Sequence, residues 1–303
     1  MRIVYSPRYH IDIGTHVFPT AKYVQLHARV VSAGLAEPGT LVEPALASWD
    51  DLALVHTEAY LQKLREGVFR TEELAQLEVP WSPEVVDGFR LMTGGTIEAA
   101  RLALARDPVN RAAARAVCHL GGGLHHAFAD HGEGFCFFND VAVAIRVLVR
   151  DHAVSSAAVI DLDVHQGNGT AAIFAGDPHV FTFSMHQQYN YPVHKPAGSL
   201  DIGLPDGTRD EGYLERLDGA LKQVFEHLPE VAFYLAGADP YEDDQLGGLA
   251  LTKRGLRLRD RMVLQAARQA GVPVVVLLAG GYARRLEDTV DIHFATVEEA
   301  SRL

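Results

Sequence analysis

Two strand-like runs in this 303-residue chain end in side chains able to hold a cation. In the first, Ala157-Ala158-Val159-Ile160-Asp161-Leu162-Asp163-Val164-His165, polar and apolar residues alternate at the end. Side chains two apart on a strand point the same way, so Asp161, Asp163 and His165 can face one site. Three such groups closing an apolar strand are costly unless something pairs with them, and a divalent ion would. The rival reading is a polar strand end that turns into a helix cap. The second run, 231–239, closes with Gly237-Ala238-Asp239, where glycine permits a tight turn or close backbone approach. Asp239 is the natural third ligand. Two carboxylates and one imidazole suit zinc or iron(II), and three protein ligands leave positions for water and substrate, the mark of a catalytic metal.

Two glycine-rich segments add groups that handle protons and oxyanions. Gly121-Gly122-Gly123-Leu124-His125-His126 follows a run ending at His119, and its adjacent histidines can supply two distinct proton-handling groups. Read alone, it is equally a turn carrying surface histidines. In Leu277-Leu278-Ala279-Gly280-Gly281-Tyr282 a tyrosine hydroxyl follows the glycines and could donate to a carbonyl oxygen as it becomes an oxyanion. Its plain alternative is a ring packed at a strand end.

The elements that must position these groups are legible as alternating strands and helices. Apolar, β-branched runs at 2–5, 114–119, 157–163, 179–185, 230–236 and 273–279 read as strands, most without the polar alternation of a sheet that faces water on one side. Helical periodicity occupies 57–65, 93–105, 140–150, 210–228 and 252–270, with Thr57, Asn139 and Thr252 placed to cap free N–H groups. This alternation predicts a parallel α/β sheet covered on both faces. Ligands in such sheets bind outside the carboxyl ends of the strands, here the loops 120–139, 164–170, 186–198, 237–248 and 280–285. The four chemical segments all fall at that end. No internal repeat, low-complexity tract or linker divides the chain, so 1–303 reads as one domain.

Composition narrows the function classes. The chain is 48% hydrophobic and 22% charged, and its length buries enough surface to make disulfides unnecessary. Metal would then serve chemistry rather than folding. Cys118 and Cys136 lie in separate segments and the N-terminus carries no signal pattern, which predicts a cytoplasmic protein. No apolar run approaches the roughly 20 residues of a membrane span. A net charge of −12 argues against nucleic-acid binding, reads first as solubility, and fits a mild preference for cationic substrates.

Taken together, Gly-Gly-Gly-Leu-His-His-Ala (121–127), Gly-Phe-Cys-Phe-Phe-Asn-Asp (134–140), Asp-Leu-Asp-Val-His-Gln-Gly-Asn-Gly-Thr (161–170), Gly-Ala-Asp (237–239) and Ala-Gly-Gly-Tyr (279–282) resemble the histone deacetylase superfamily. That superfamily includes bacterial acetoin-utilisation and acetylpolyamine amidohydrolase relatives. The likeness runs from about residue 5 to 295. His16-Val17-Phe18-Pro19 with Lys22-Tyr23, and Phe183-Ser184-Met185-His186, look most like the class IV branch and its bacterial relatives.

The resemblance implies an arginase-like α/β fold with an eight-stranded parallel sheet. It implies zinc, with iron(II) as a substitute, on Asp163, His165 and Asp239. His126 would be the general base, and His125 its neighbour that stabilises charge and protonates the leaving amine. Tyr282 would polarise the acyl carbonyl. Asp161 would buttress His125, and Asn168 would buttress His126; some branches carry Asp there, and Asn leaves the base less basic because it adds no charge. A structural potassium ion would use Asp161, Asp163, His165, Ser184 and the carbonyl of Met185. Gly134 and Phe135 would form one wall of an acyl-lysine tunnel and Tyr191 the facing one. The implied reaction is zinc-dependent removal of an acyl group, acetyl or a longer fatty acyl, from protein lysine. The alternatives are an acetylpolyamine or small-amide deacetylase and, from a different class, a silent metal-binding acyl-lysine reader. An arginase-type enzyme with two manganese ions would need more carboxylates than these loops offer. Oligomeric state is not encoded legibly.

Overall fold

The computed structural model describes residues 1–37, 39–105 and 116–303. Eight strands build its sheet: β1 (Arg2–Val4), β2 (Leu41–Val42), β3 (Ala116–His119), β4 (Ala157–Asp161), β5 (Val180–Gln187), β6 (Leu200–Leu204), β7 (Ala232–Leu235) and β8 (Val274–Leu277). The helices are α1 (Ala21–Ser32), α2 (Trp49–Leu52), α3 (Glu58–Glu66), α4 (Thr71–Leu77), α5 (Pro83–Leu104), α6 (Asp140–Arg150), α7 (Asn168–Ile173), α8 (Asp210–Glu226), α9 (Lys253–Ala270) and α10 (Leu286–Ser301). The strand order is β2-β1-β3-β8-β7-β4-β5-β6, and every neighbouring pair is parallel.

The four central strands, β3, β8, β7 and β4, are buried at every residue. This is why they read as nearly unbroken apolar runs rather than as alternation: both faces are covered. The edges are different. β2 is two partly exposed residues, and β6 alternates exposed and half-buried positions with a glycine inside, so neither carried a strand signal.

The expected caps are made: the side chains of Thr57, Asn139 and Thr252 accept from the N–H groups of Tyr60, Ala142 and Gly255. Such caps stabilise a helix start by about 1 kcal/mol each. The expected helix at 93–105 begins earlier, at Pro83, behind a Ser82 cap. The glycines that interrupt its pattern reflect packing rather than a break: at Gly94 a Cβ would strike the Ala45 carbonyl. Of the expected strand at 114–119, positions 114 and 115 lie outside the described residues, and β3 accounts for the rest. β5 extends through His186 to Gln187, so the loop expected from 186 starts later.

Candidate active site

Past the ends of the central strands the chain stays zipped. Leu162 donates to the Leu235 carbonyl (3.1 Å), Ala236 to Leu277 (2.8 Å), Ala238 to Gly280 (3.0 Å), and Leu278 and Ala279 to Gly121 and Gly122 (3.2 and 3.1 Å). The four loops are therefore fixed side by side before any side chain is considered. Arg259 of α9, fully buried, adds a clamp from below: its Nη1 donates to the carbonyls of Gly237 (2.6 Å) and Leu162 (3.3 Å).

On this frame the donor atoms of Asp163, His165 and Asp239 converge, all within 4.8 Å of one another and all buried. His165 Nδ1 lies 3.1 Å from Asp163 Oδ1 and 3.6 Å from Asp239 Oδ2. The outward carboxylate oxygens are held by backbone: Asp163 Oδ2 accepts from Gly280 N (2.8 Å) and Asp239 Oδ1 from Val164 N (2.9 Å). Asp239 Oδ2, completely enclosed, has no hydrogen bond. An orphaned buried carboxylate oxygen is expensive, and burial together with the Asp163 charge pushes Asp239 up to about 7. A cation at the convergence point would relieve both. The donor set fits a divalent ion with open positions. Gly280 is required here because a Cβ at 280 would overlap Asp239 Oδ2.

The two histidines sit in opposite electrostatic states. Burial opposes charge on His125, but the Asp161 and Asp163 carboxylates outweigh it and raise its pKa to about 9; Asp161 Oδ2 is 2.7 Å from Nδ1. His126 is lowered well below the ordinary value by burial and by the positive charges of His125 and His165. Its Nδ1 faces Asn168 Oδ1 at 2.7 Å. The rings are 4.0 Å apart between centroids, so a charged and a neutral imidazole stand side by side.

Tyr282 closes the other side. Its N–H donates to Asp244 Oδ2 (2.7 Å) and its carbonyl accepts from Gln245 Nε2 (2.8 Å), which sets the ring; burial keeps the phenol protonated well past its usual range. Phe135 stands edge-on to Tyr282 (6.0 Å) and stacks on Phe18 (6.2 Å), while Tyr191 meets His126 edge-on (5.0 Å) from the opposite side. Phe135 is held at φ 69° and Gly134 at φ 52° by a turn closed between Glu133 and Cys136. A left-handed aromatic is rare and marks a ring aimed deliberately.

The structure thus brings together Asp161, Asp163, His165, Asp239, His125, His126, Asn168, Tyr282, Gly134, Phe135 and Tyr191. Ser184 lies opposite Asp161 in the β4–β5 register with Met185 next to it, and the Ser184 hydroxyl lies 2.9 Å from His186 Nδ1. Sequence reasoning missed Glu133, Asp244 and Arg259, each of which acts through a backbone or a neighbour and belongs to no strand-end pattern. Lys22, noted only within a motif, is buried beneath Tyr282; it donates to the Ala279 carbonyl (2.9 Å), and burial lowers it to about 8. Among the described residues no helix is long and apolar enough to cross a membrane.

The chain matches the family model of the histone deacetylase domain over residues 16–297. It is 39% identical to an uncharacterized protein of Picosynechococcus sp., covering 96% of this chain and 95% of that one. It is 34% identical to histone deacetylase 2 of Arabidopsis thaliana, covering 95% of this chain and 77% of that one. Among solved structures it superposes on the HDA15 HD domain with a TM-score of 0.81 at 20% identity, over 99% of this chain and 90% of that one, a likeness of fold. With the family model matched over 16–297 and a relative at 34% identity over most of both chains, the chain belongs to the histone deacetylase family and is a deacetylase-type hydrolase.

Proposed function

We propose that the protein, as one catalytic domain over 1–303, hydrolyses acetyl-lysine side chains in proteins or peptides, with one zinc ion held by Asp163, His165 and Asp239. The observation that carries this is the orphaned Asp239 oxygen among three converging donors at the floor of a cleft walled by Phe18, Phe135 and Tyr282. When bound, such an ion acidifies water toward ~7 and polarises a carbonyl.

The chain's own residues do the rest. Neutral His126 takes the proton of the attacking water at Nε2, the nitrogen not engaged by Asn168. Tyr282, its hydroxyl protonated, donates to the carbonyl oxygen as negative charge develops there. His125, held charged by Asp161, hands its proton to the departing amine. Phe135 and Tyr191 flank the aliphatic stem and exclude water. A potassium ion beside Asp161, Ser184 and Met185 would support the floor.

Phe18, Phe135 and Tyr282 line the cleft closely, and acetyl, a small acyl group, is the one proposed as substrate. The test is an acyl panel on lysine peptides (acetyl, butyryl, myristoyl) beside acetylspermidine, using zinc-reconstituted protein. Preferred turnover of the acetyl peptide supports the proposal; preference for myristoyl or for the polyamine replaces its substrate, and no turnover of any acyl amine removes it.

A further inference from the structure

Asn168 poses a problem that the reaction cannot leave open. A general base must present a lone pair at Nε2, which requires the proton on Nδ1. An asparagine amide can turn either face to Nδ1: its oxygen would fix the competent tautomer, its NH2 the useless one. A carboxylate at 168 would admit no such choice.

Glu133 removes the ambiguity. Its Oε1 accepts from Asn168 Nδ2 (2.7 Å) and from the Tyr191 hydroxyl (2.7 Å). Its Oε2 accepts from Gln76 Nε2 (2.8 Å), with His131 Nε2 at 3.5 Å. The side chain is 13% exposed. Burial alone would raise its pKa, but the hydrogen bonds from His131, Tyr191, Gln76 and Asn168 outweigh burial and hold it at about 2. Glu133 is therefore a carboxylate at any working pH, and a carboxylate only accepts. Asn168 must turn its NH2 toward it, so Oδ1 faces His126, Nδ1 carries the proton and Nε2 is free.

The geometry points to Glu133 as a positioning residue: through Asn168 it locks His126 in the proton-accepting tautomer and returns, one residue further back, the negative charge that Asn168 lacks. The same oxygen anchors Tyr191, the ring edge-on to His126, and the Glu133 backbone closes the turn that aims Phe135. One side chain thus registers the base against both walls. This deepens the reading of His126 as the base and rests on it.

The experiment uses the full chain with ¹⁵N-labelled histidine, zinc-loaded, the His126 signals being assigned with His126→Ala. The wild type shows Nδ1 protonated and Nε2 unprotonated. Glu133→Gln gives mixed tautomers and a kcat about 10-fold lower, part of the ~10²–10⁴ of general-base catalysis, with KM little changed. Asn168→Asp alone is also impaired, because two carboxylates then face each other at hydrogen-bond distance. The double variant Glu133→Gln/Asn168→Asp puts a charge directly on Nδ1 and regains both the tautomer and the rate. An unchanged His126 tautomer in Glu133→Gln, or a double variant no better than the singles, overturns the proposal. The NMR arm decides even where no peptide is turned over, so failure of the deacetylase reading stays separate.

Discussion

Replacing Tyr282 by Phe isolates one hydroxyl. The ring would stay where it is, because it is set by backbone hydrogen bonds to Asp244 and Gln245 and packed by Phe135 (6.0 Å), Phe18 (6.4 Å) and the Lys22 ammonium (5.8 Å). None of those contacts needs the phenolic oxygen, and among the described residues no group hydrogen-bonds to it. The folding cost should therefore stay below about 1 kcal/mol, since no buried partner is stranded. The catalytic cost is of another order. A donor aimed at a developing oxyanion is worth about 2.7–4 kcal/mol, or about 10²–10³ in kcat. KM should move little, because the donor acts mainly after the ground state. Single-turnover release of acetate from an acetyl-lysine peptide, run beside urea unfolding, measures both. A variant with wild-type kcat and unaltered stability would refute the oxyanion role; a variant that loses kcat only in proportion to folded protein would refute the claim of a rigidly held ring.

Three further outcomes follow from the same geometry. Gly280→Ala drives a Cβ into Asp239 Oδ2, so zinc affinity should fall about 10- to 100-fold in competition with a chelating dye while the far-UV spectrum is retained. Arg259→Met removes the counter-charge of the buried Asp260 carboxylate, to which Tyr234 and Thr296 still donate, and releases the Gly237 and Leu162 carbonyls, which should cost about 3–5 kcal/mol in urea unfolding. Zinc uptake should release protons: in the metal-free site burial and the Asp163 charge raise Asp239 to about 7, and the two carboxylates outweigh burial to raise His165 to about 10, so both hold protons that the ion must displace. Apparent affinity should therefore rise with pH up to about 10, most steeply below about 7 where both groups are protonated, and calorimetry in buffers of different ionisation enthalpy should detect the release; flat affinity would contradict it.

The sheet and the ligands were legible because they obey simple periodicities. Ala157 to Asp161 reads as a buried strand by composition, and Asp163 and His165 follow at a spacing of two. Asp239 needed the second strand end for company. What stayed hidden depends on contacts that no local pattern encodes. Glu133 lies 35 positions from Asn168 and 58 from Tyr191, on loops with no period. Arg259 is one of several basic residues on its helix and nothing local sets it apart, yet it is the fully enclosed clamp under the ligand loops. The expected helix at 93–105 omits the residues from Pro83, where Gly88, which makes room for the Ile11 side chain, interrupts the periodicity. Edge strands β2 and β6 are too short or too exposed to stand out from loops.

A single divalent ion on Asp163, His165 and Asp239 is the proposed source of the deacetylase activity. The most direct test is to strip the protein of metal and add zinc in fractions of an equivalent while following acetyl-lysine hydrolysis, beside Asp239→Asn. Activity should rise linearly and stop at one equivalent in the native chain, with no comparable rise in the variant. Full activity before metal is added, or a rise that continues to two equivalents, would contradict it.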